Sequence, residues 1–177
     1  RSFAESLAIL GKTPSGQYAQ ALQTYGNLAR AQGKFDLAVD RYRKSFEVFR
    51  EATGDSVYTW LTAMVEVAAL TDAERYSEAD ARALEATVAI QRITPDDDYN
   101  NMYVASVLGS LRQAEGRHTE AISNFRRALE TIQKIYERDH VEIAQLRIAL
   151  ASSLIVSEDA AVLDEAESLI ESAFEAL

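Results

Sequence analysis

The sequence of 177 residues contains no cysteine, only 7 glycines and only 2 prolines. The absence of cysteine excludes disulfides, thiolate metal sites and thiol nucleophiles. Scarce glycine and proline, beside frequent alanine, leucine and glutamate, favour a mostly helical protein over an all-β or disordered one. The sequence also lacks any apolar run that approaches the roughly 20 residues of a membrane-spanning helix.

Positive charge is scarce too, because 18 Lys and Arg residues stand against 28 Asp and Glu residues, which gives a formal net charge of −10. Nucleic acids and anionic membranes bind through clustered basic side chains, so neither is expected as a partner. The first residues, 1–3, do not have the pattern of a signal peptide, and the cytoplasm is the default expectation for location. The sequence does not begin with Met, and we expect it to be a piece of a longer protein.

A short motif recurs along the chain, in which a turn is followed by an aromatic or equivalent residue, two further positions and Ala. Its clearest copies are Gly33–Ala38 and Gly116–Ala121, and divergent copies end at Ala79 and Ala166. The Ala positions 38, 79, 121 and 166 are therefore 41, 42 and 45 residues apart. This regular spacing predicts a repeat protein with a period near 42 residues.

A second marker follows each motif, as in Tyr42-x-x-Ser45 and Phe125-x-x-Ala128, and an extra copy, Phe3-x-x-Ser6, stands at the start. Between the markers, apolar residues recur at positions i, i+3, i+4 and i+7, which predicts amphipathic helices. The small residues Gly26 and Gly109 would let paired helices approach closely, with Tyr42 or Phe125 filling the space beside them. Helices are predicted near residues 1–11, 15–32, 35–53, 57–73, 76–93, 97–115, 118–137, 140–158 and 161–177.

These helices predict a single repeat domain over residues 1–177, because a lone helix pair leaves an apolar face that a neighbouring pair must cover. The first segment is the second helix of a truncated repeat, and four repeats follow it. The predicted boundaries are 1–13 for the truncated repeat and 14–55, 56–95, 96–138 and 139–177 for repeats 1 to 4.

The markers of repeats 1 and 3 resemble the signature of the tetratricopeptide repeat (TPR) family. The matching residues are Leu22, Gly26, Ala29, Gly33, Phe35, Ala38, Tyr42 and Ser45 in repeat 1 and Gly109, Gly116, Ala121, Phe125 and Ala128 in repeat 3. Repeat 2 departs from it with Glu74 where the turn usually has Gly. The long period is similar to the variety found in kinesin light chains. The resemblance implies an all-α, right-handed α-solenoid of antiparallel helix pairs.

No constellation of residues predicts catalysis. His118 and His140 have no partner at i+4, so they do not form a helical metal pair. The run Asp96–Asp98 lacks the Gly and closing Glu of a calcium loop, and a helix start explains it better. The stretch Gly11–Thr13 lacks the upstream Gly of a phosphate loop. We therefore expect a protein that is not an enzyme and has no cofactor or metal.

The resemblance instead implies a binding surface, since the first helix of each pair lines a concave groove in that family. The corresponding residues are Gln20, Gln23, Asn27 and Arg30 in repeat 1, Leu61, Met64 and Val65 in repeat 2, and Tyr103, Ser106, Val107 and Ser110 in repeat 3. A polar strip beside an apolar patch suits an extended or helical peptide. Packing between helix pairs explains the apolar members, Leu61, Val65 and Val107, equally well.

The predicted function is a non-catalytic scaffold that binds a peptide or protein segment in this groove. The alternative is a structural or oligomerisation module that stacks through its end hairpins, or that regulates a fused domain. Solenoids usually carry polar end caps, whereas Phe3, Leu7, Phe174 and Leu177 are apolar. A homo-oligomer through these end helices is therefore part of the alternative.

Overall fold

The computed structural model describes residues 15–136, 140–157 and 162–175, and these residues form eight α-helices and no β-strand. The helices are α1 Gly16–Ala31, α2 Phe35–Thr53, α3 Val57–Asp72, α4 Tyr76–Ile93, α5 Asp98–Ala114, α6 His118–Ile135, α7 Val141–Val156 and α8 Leu163–Phe174. The all-α prediction is confirmed. The predicted helix over residues 1–11, with its markers Phe3 and Leu7, lies outside the described residues, as does Leu177.

The chain divides into two compact units, Arg1–Thr94 and Pro95–Leu177. In the first unit each helix from α1 to α4 packs against the next in sequence, and in the second unit the same holds from α5 to α8. Helices that pack on their sequence neighbours across short connections form helix hairpins, which is the arrangement of a helical repeat protein. None of the described helices is long and apolar enough to cross a membrane.

The first helix of each hairpin begins at a side chain that accepts a hydrogen bond from the first turn. Ser15 Oγ accepts from the Tyr18 amide at 3.2 Å, and Asp97 Oδ1 accepts from the Asn100 amide at 2.9 Å. Such caps satisfy amide groups that have no partner inside the helix. The Asp96–Asp98 run is therefore a helix start, as the sequence predicts.

The turn inside three of the hairpins repeats one backbone conformation. Gly33, Glu74 and Gly116 have φ angles of 70°, 57° and 75°. A residue in the left-handed backbone conformation terminates the preceding helix at this point. Glycine adopts that conformation without the steric cost that a side chain brings. Glu74 therefore keeps the turn geometry of the other two positions at the expense of local strain.

Two close approaches of glycine and an aromatic ring hold the hairpins together. A Cβ atom added to Gly26 would lie 2.5 Å from the Tyr42 ring, and one added to Gly109 would lie 2.6 Å from the Phe125 ring. Both rings are buried, with exposures of 0% and 1%. The prediction that these glycines make room for the aromatic side chains is confirmed.

The first unit also buries a carboxylate. The Glu66 side chain is 3% exposed and accepts hydrogen bonds from Arg43 Nε at 2.9 Å and Arg82 Nε at 3.0 Å. The Arg82 guanidinium also lies over the Phe46 ring, 3.9 Å from its centre. Buried carboxylates are tolerated where cationic donors surround them, and Glu66 has two.

A second acidic group, Asp55, joins the start of α3 to the end of α4. It accepts hydrogen bonds from Trp60 Nε1 and from the Arg92 guanidinium. The hydrogen bond from Trp60, followed by the one from Arg92, lowers the pKa of Asp55 below its ordinary value. The charged form of Asp55 therefore stabilises the folded unit.

Candidate functional site

A groove of about 290 Å³ lies in the second unit, and two first helices, α5 and α7, supply most of its lining. The lining residues are Met102, Tyr103, Ser106, Ser110, Phe125, Glu142, Gln145, Leu146 and Ala149. On each helix they are spaced three or four positions apart, which places them on one face. The groove thus combines apolar side chains with hydroxyl, amide and carboxylate groups.

Three of the predicted contact residues are brought together here. Tyr103 and Ser106 are half-buried, Ser110 is exposed, and all three line the groove. Val107 is different, because it is only 8% exposed and is part of the core. This burial supports packing between helices, the alternative that the sequence leaves open for Val107, and contact of Val107 with a partner stays a prediction.

The predicted contact residues of the first unit have mixed positions. Gln20, Asn27 and Arg30 are exposed, and Gln23, Leu61 and Val65 are half-buried. Met64 is fully buried, with an exposure of 0%, which supports a role in the core, and its contact with a partner stays a prediction. Apolar side chains on α3 are buried because this helix packs against both of its neighbours, α2 and α4.

Two of the exposed residues make contacts within the chain. Asn27 Oδ1 accepts a hydrogen bond of 2.7 Å from the Tyr42 hydroxyl. Arg30 forms an ion pair with Asp72, which links the end of α1 to the end of α3. These side chains therefore contribute to packing of the first unit, and their contact with a partner stays a prediction.

The α7 side of the groove was not among the predicted contacts. It supplies Glu142, Gln145, Leu146 and Ala149. The sequence predicts contact residues for repeats 1 to 3 only, and α7 belongs to repeat 4. Positions on α7 are harder to infer from the Ala at 166, because six residues separate α7 from α8 whereas three separate the helices of the other hairpins. The groove positions on α7 are found instead by counting forward from the start of this helix, which directly follows His140.

Glu142 lies in the first turn of α7 and is the one charged residue among the described residues that line the groove. Its amide donates to His140 Nδ1 at 3.3 Å, and the His140 ring stacks on Tyr136 with 3.9 Å between ring centres. These contacts fix the first turn of the helix. Within the described part of the chain, Glu142 Oε2 is buried and has no hydrogen-bond partner.

The Tyr99 hydroxyl lies close to the Glu142 carboxylate. Burial, followed by the charge of the nearby Glu142 carboxylate, raises the pKa of the Tyr99 hydroxyl. Over residues 15–136, 140–157 and 162–175, no cluster of three or more His, Cys, Asp or Glu side chains could hold a metal ion.

A sequence model of the tetratricopeptide repeat family matches residues 98–177, which contain the whole groove. No curated protein matches the chain. Among solved structures, the crystal structure of BtubC (BKLC) from P. vanneervenii is similar, with a TM-score of 0.75, 17% sequence identity, and coverage of 98% of this chain and 70% of that chain. This likeness concerns the fold alone, and the kinesin-light-chain-like variety stays a prediction. Residues 98–177 therefore match the tetratricopeptide repeat family in sequence, and the whole chain is similar to a helical repeat protein in fold.

Proposed function

We propose that this chain is a non-catalytic protein-interaction module that holds a segment of another polypeptide in the groove between α5 and α7. The observation that supports the proposal is the groove itself, which is lined from two facing helices and lies within the segment that matches the family. Tetratricopeptide repeats generally mediate contacts between proteins.

The size and lining of the groove favour a peptide over a small metabolite. Its volume of about 290 Å³ is at the lower end of the range for small-molecule pockets, and it accommodates one or two side chains. The edges of Met102, Phe125 and Leu146 offer apolar contact, while Ser110 and Gln145 offer hydrogen bonds to a peptide backbone. Helices that are already fixed lose little conformational entropy when a peptide binds.

A defined library tests this proposal. Twelve-residue peptides displayed on phage are selected on the wild-type chain and then measured as synthetic peptides by isothermal titration calorimetry. We expect Gln145→Trp, which places a large side chain in the groove, to weaken binding of the selected peptides at least about tenfold, or 1.4 kcal/mol.

The matched control is Gln133→Trp, because Gln133 is an exposed glutamine on α6 that does not line the groove. This variant should bind the peptides as the wild type does. Circular dichroism at 222 nm checks that both variants keep their helices. Equal binding by all three proteins, or selection of no peptide, would show that the groove does not serve this function.

The oligomerisation alternative also stays a prediction, and one observation favours it. Phe174, at the end of α8, is 71% exposed, and Ile148 and Ile155, seven residues apart on α7, are 40% and 47% exposed. Apolar residues at this spacing lie on one side of a helix. Sedimentation velocity over a hundredfold range of concentration tests for a second copy of the chain, and a constant monomer contradicts this alternative.

A further inference from the structure

The proposed function does not specify which peptides the groove accepts, but Glu142 does. The other described residues that line the groove are uncharged, so the Glu142 carboxylate is the charge that a ligand in the groove would meet there. The Glu142 side chain is half-buried, and the attraction between a partly buried carboxylate and a cation is stronger than at an open surface. The charge of the groove is therefore complementary to a positively charged group on the ligand.

The unpartnered oxygen supports the same conclusion. A buried acceptor without a hydrogen-bond partner is unfavourable, and most such groups in folded proteins have one. In the described part of the chain Glu142 Oε2 lacks a partner, although the rest of the side chain is only half-buried. The nearest basic residue on α7, Arg147, donates to the Ser172 carbonyl oxygen at 2.8 Å. A donor from a ligand would satisfy this oxygen.

Acidic residues in a first turn are common in this chain, as Asp98 in α5 shows, so the helix dipole explains negative charge near the start of α7 but not its position at the groove. Negative charge in a first turn is favoured by the helix dipole, and this would apply to every first helix of the chain. The second position of the first helix is nevertheless Gln17 in α1, Tyr58 in α3 and Tyr99 in α5, and only α7 has an acid there, Glu142. The fold thus accepts uncharged side chains at this position.

We infer that the polypeptide held in the groove contains a Lys or Arg residue whose side chain pairs with Glu142, next to an apolar residue that contacts Met102, Phe125 and Leu146. This inference rests on the proposed function, since it names the chemistry of the partner at the same site. The cationic group donates a hydrogen bond to Glu142 Oε2, and the peptide backbone runs along the groove toward Ser110.

The test repeats the phage selection of twelve-residue peptides on the wild-type chain and on two variants. Glu142→Gln keeps the size of the side chain and removes its charge. Glu167→Gln is the matched control, because Glu167 is an exposed acid on α8 away from the groove and its loss changes the net charge equally. We expect the wild type and Glu167→Gln to select peptides with Lys or Arg at one fixed position, and Glu142→Gln to lose this preference.

A selected peptide and its Lys→norleucine form give the quantitative measurement, because norleucine keeps the methylene chain and removes the charge. The change to norleucine should weaken binding to the wild type about tenfold and to Glu142→Gln less than about twofold. If Gln145→Trp weakens the binding of the selected peptides but these peptides share no basic residue at a fixed position, the inference is overturned and the proposed function stands. A basic preference that survives in Glu142→Gln would also overturn it. If Gln145→Trp binds every selected peptide as the wild type does, the proposed function fails, and the inference fails with it.

Discussion

Replacing Gly109 by alanine is expected to destabilise the protein, although alanine is the better helix former. The added Cβ atom would lie 2.6 Å from the Phe125 ring, whereas ordinary contacts begin at 3.4 Å. The ring would have to move by about 0.8 Å. Phe125 is 1% exposed and surrounded by core residues such as Ala105, Ala128 and Ile132, so it has little free space to enter.

Two opposing contributions determine the size of the effect. Overpacking of a well-filled core costs about 3 kcal/mol at the upper end of its usual range, which the short distance justifies. Alanine gains about 1 kcal/mol over glycine inside a helix. The free energy of unfolding should therefore fall by about 2 kcal/mol, and the melting temperature should fall by about 4 to 8 °C for a chain of this length.

Urea unfolding followed by circular dichroism at 222 nm measures the change. The control is Gly16→Ala, whose Cβ atom would meet Phe49 at an ordinary distance of 3.8 Å, and it should leave the stability nearly unchanged. Combining Gly109→Ala with Phe125→Leu should cost less than the sum of the single changes, because the smaller side chain relieves the clash. A Gly109→Ala protein as stable as the wild type would refute the packing argument.

Three further substitutions test the fold. Glu74→Gly should raise the free energy of unfolding by about 1 kcal/mol, because glycine adopts the positive φ without strain, and a decrease in urea unfolding would contradict this. The pKa of Asp55 is lowered in the folded state, so its charge stabilises the fold above the unfolded-state value of about 3.9 and this contribution is lost as the pH falls below it. Asp55→Asn should therefore lose less stability than the wild type on acidification, and identical acid profiles would contradict this. Glu66→Ala should lower the free energy of unfolding by about 3 kcal/mol because it removes the buried carboxylate to which both Arg43 and Arg82 donate, whereas the exposed control Glu51→Ala should change it little.

The helices and their pairing could be predicted from the sequence because they depend on local chemistry. The apolar spacing, the Ser and Asp caps and the turn glycines each act within a few residues, and α2 and α4 begin and end where the sequence predicts. The contacts of Gly26 with Tyr42 and of Gly109 with Phe125 were also predictable, because a glycine inside a helix requires a packing reason.

The side of a helix that faces a partner was harder to predict. In α3 the buried residues include Trp60, Met64, Val67 and Leu70, and also the charged Glu66. They cover more than one face because both neighbouring helices pack on α3. Residue type therefore does not separate an apolar side chain in the core, such as Met64, from one in a groove, and the boundary depends on how deeply the neighbouring helices pack.

The chain itself shows how its fold accommodates a carboxylate that serves packing. Glu66 is almost fully buried, and Arg43 and Arg82 both donate hydrogen bonds to it. Glu142 is less buried, yet its Oε2 has no donor within the described residues, although Arg147 lies on the same helix. If the two carboxylates had the same role, a basic partner for Glu142 would be expected among the described residues as well. The difference between them supports the inference that a cationic ligand supplies a donor for Glu142.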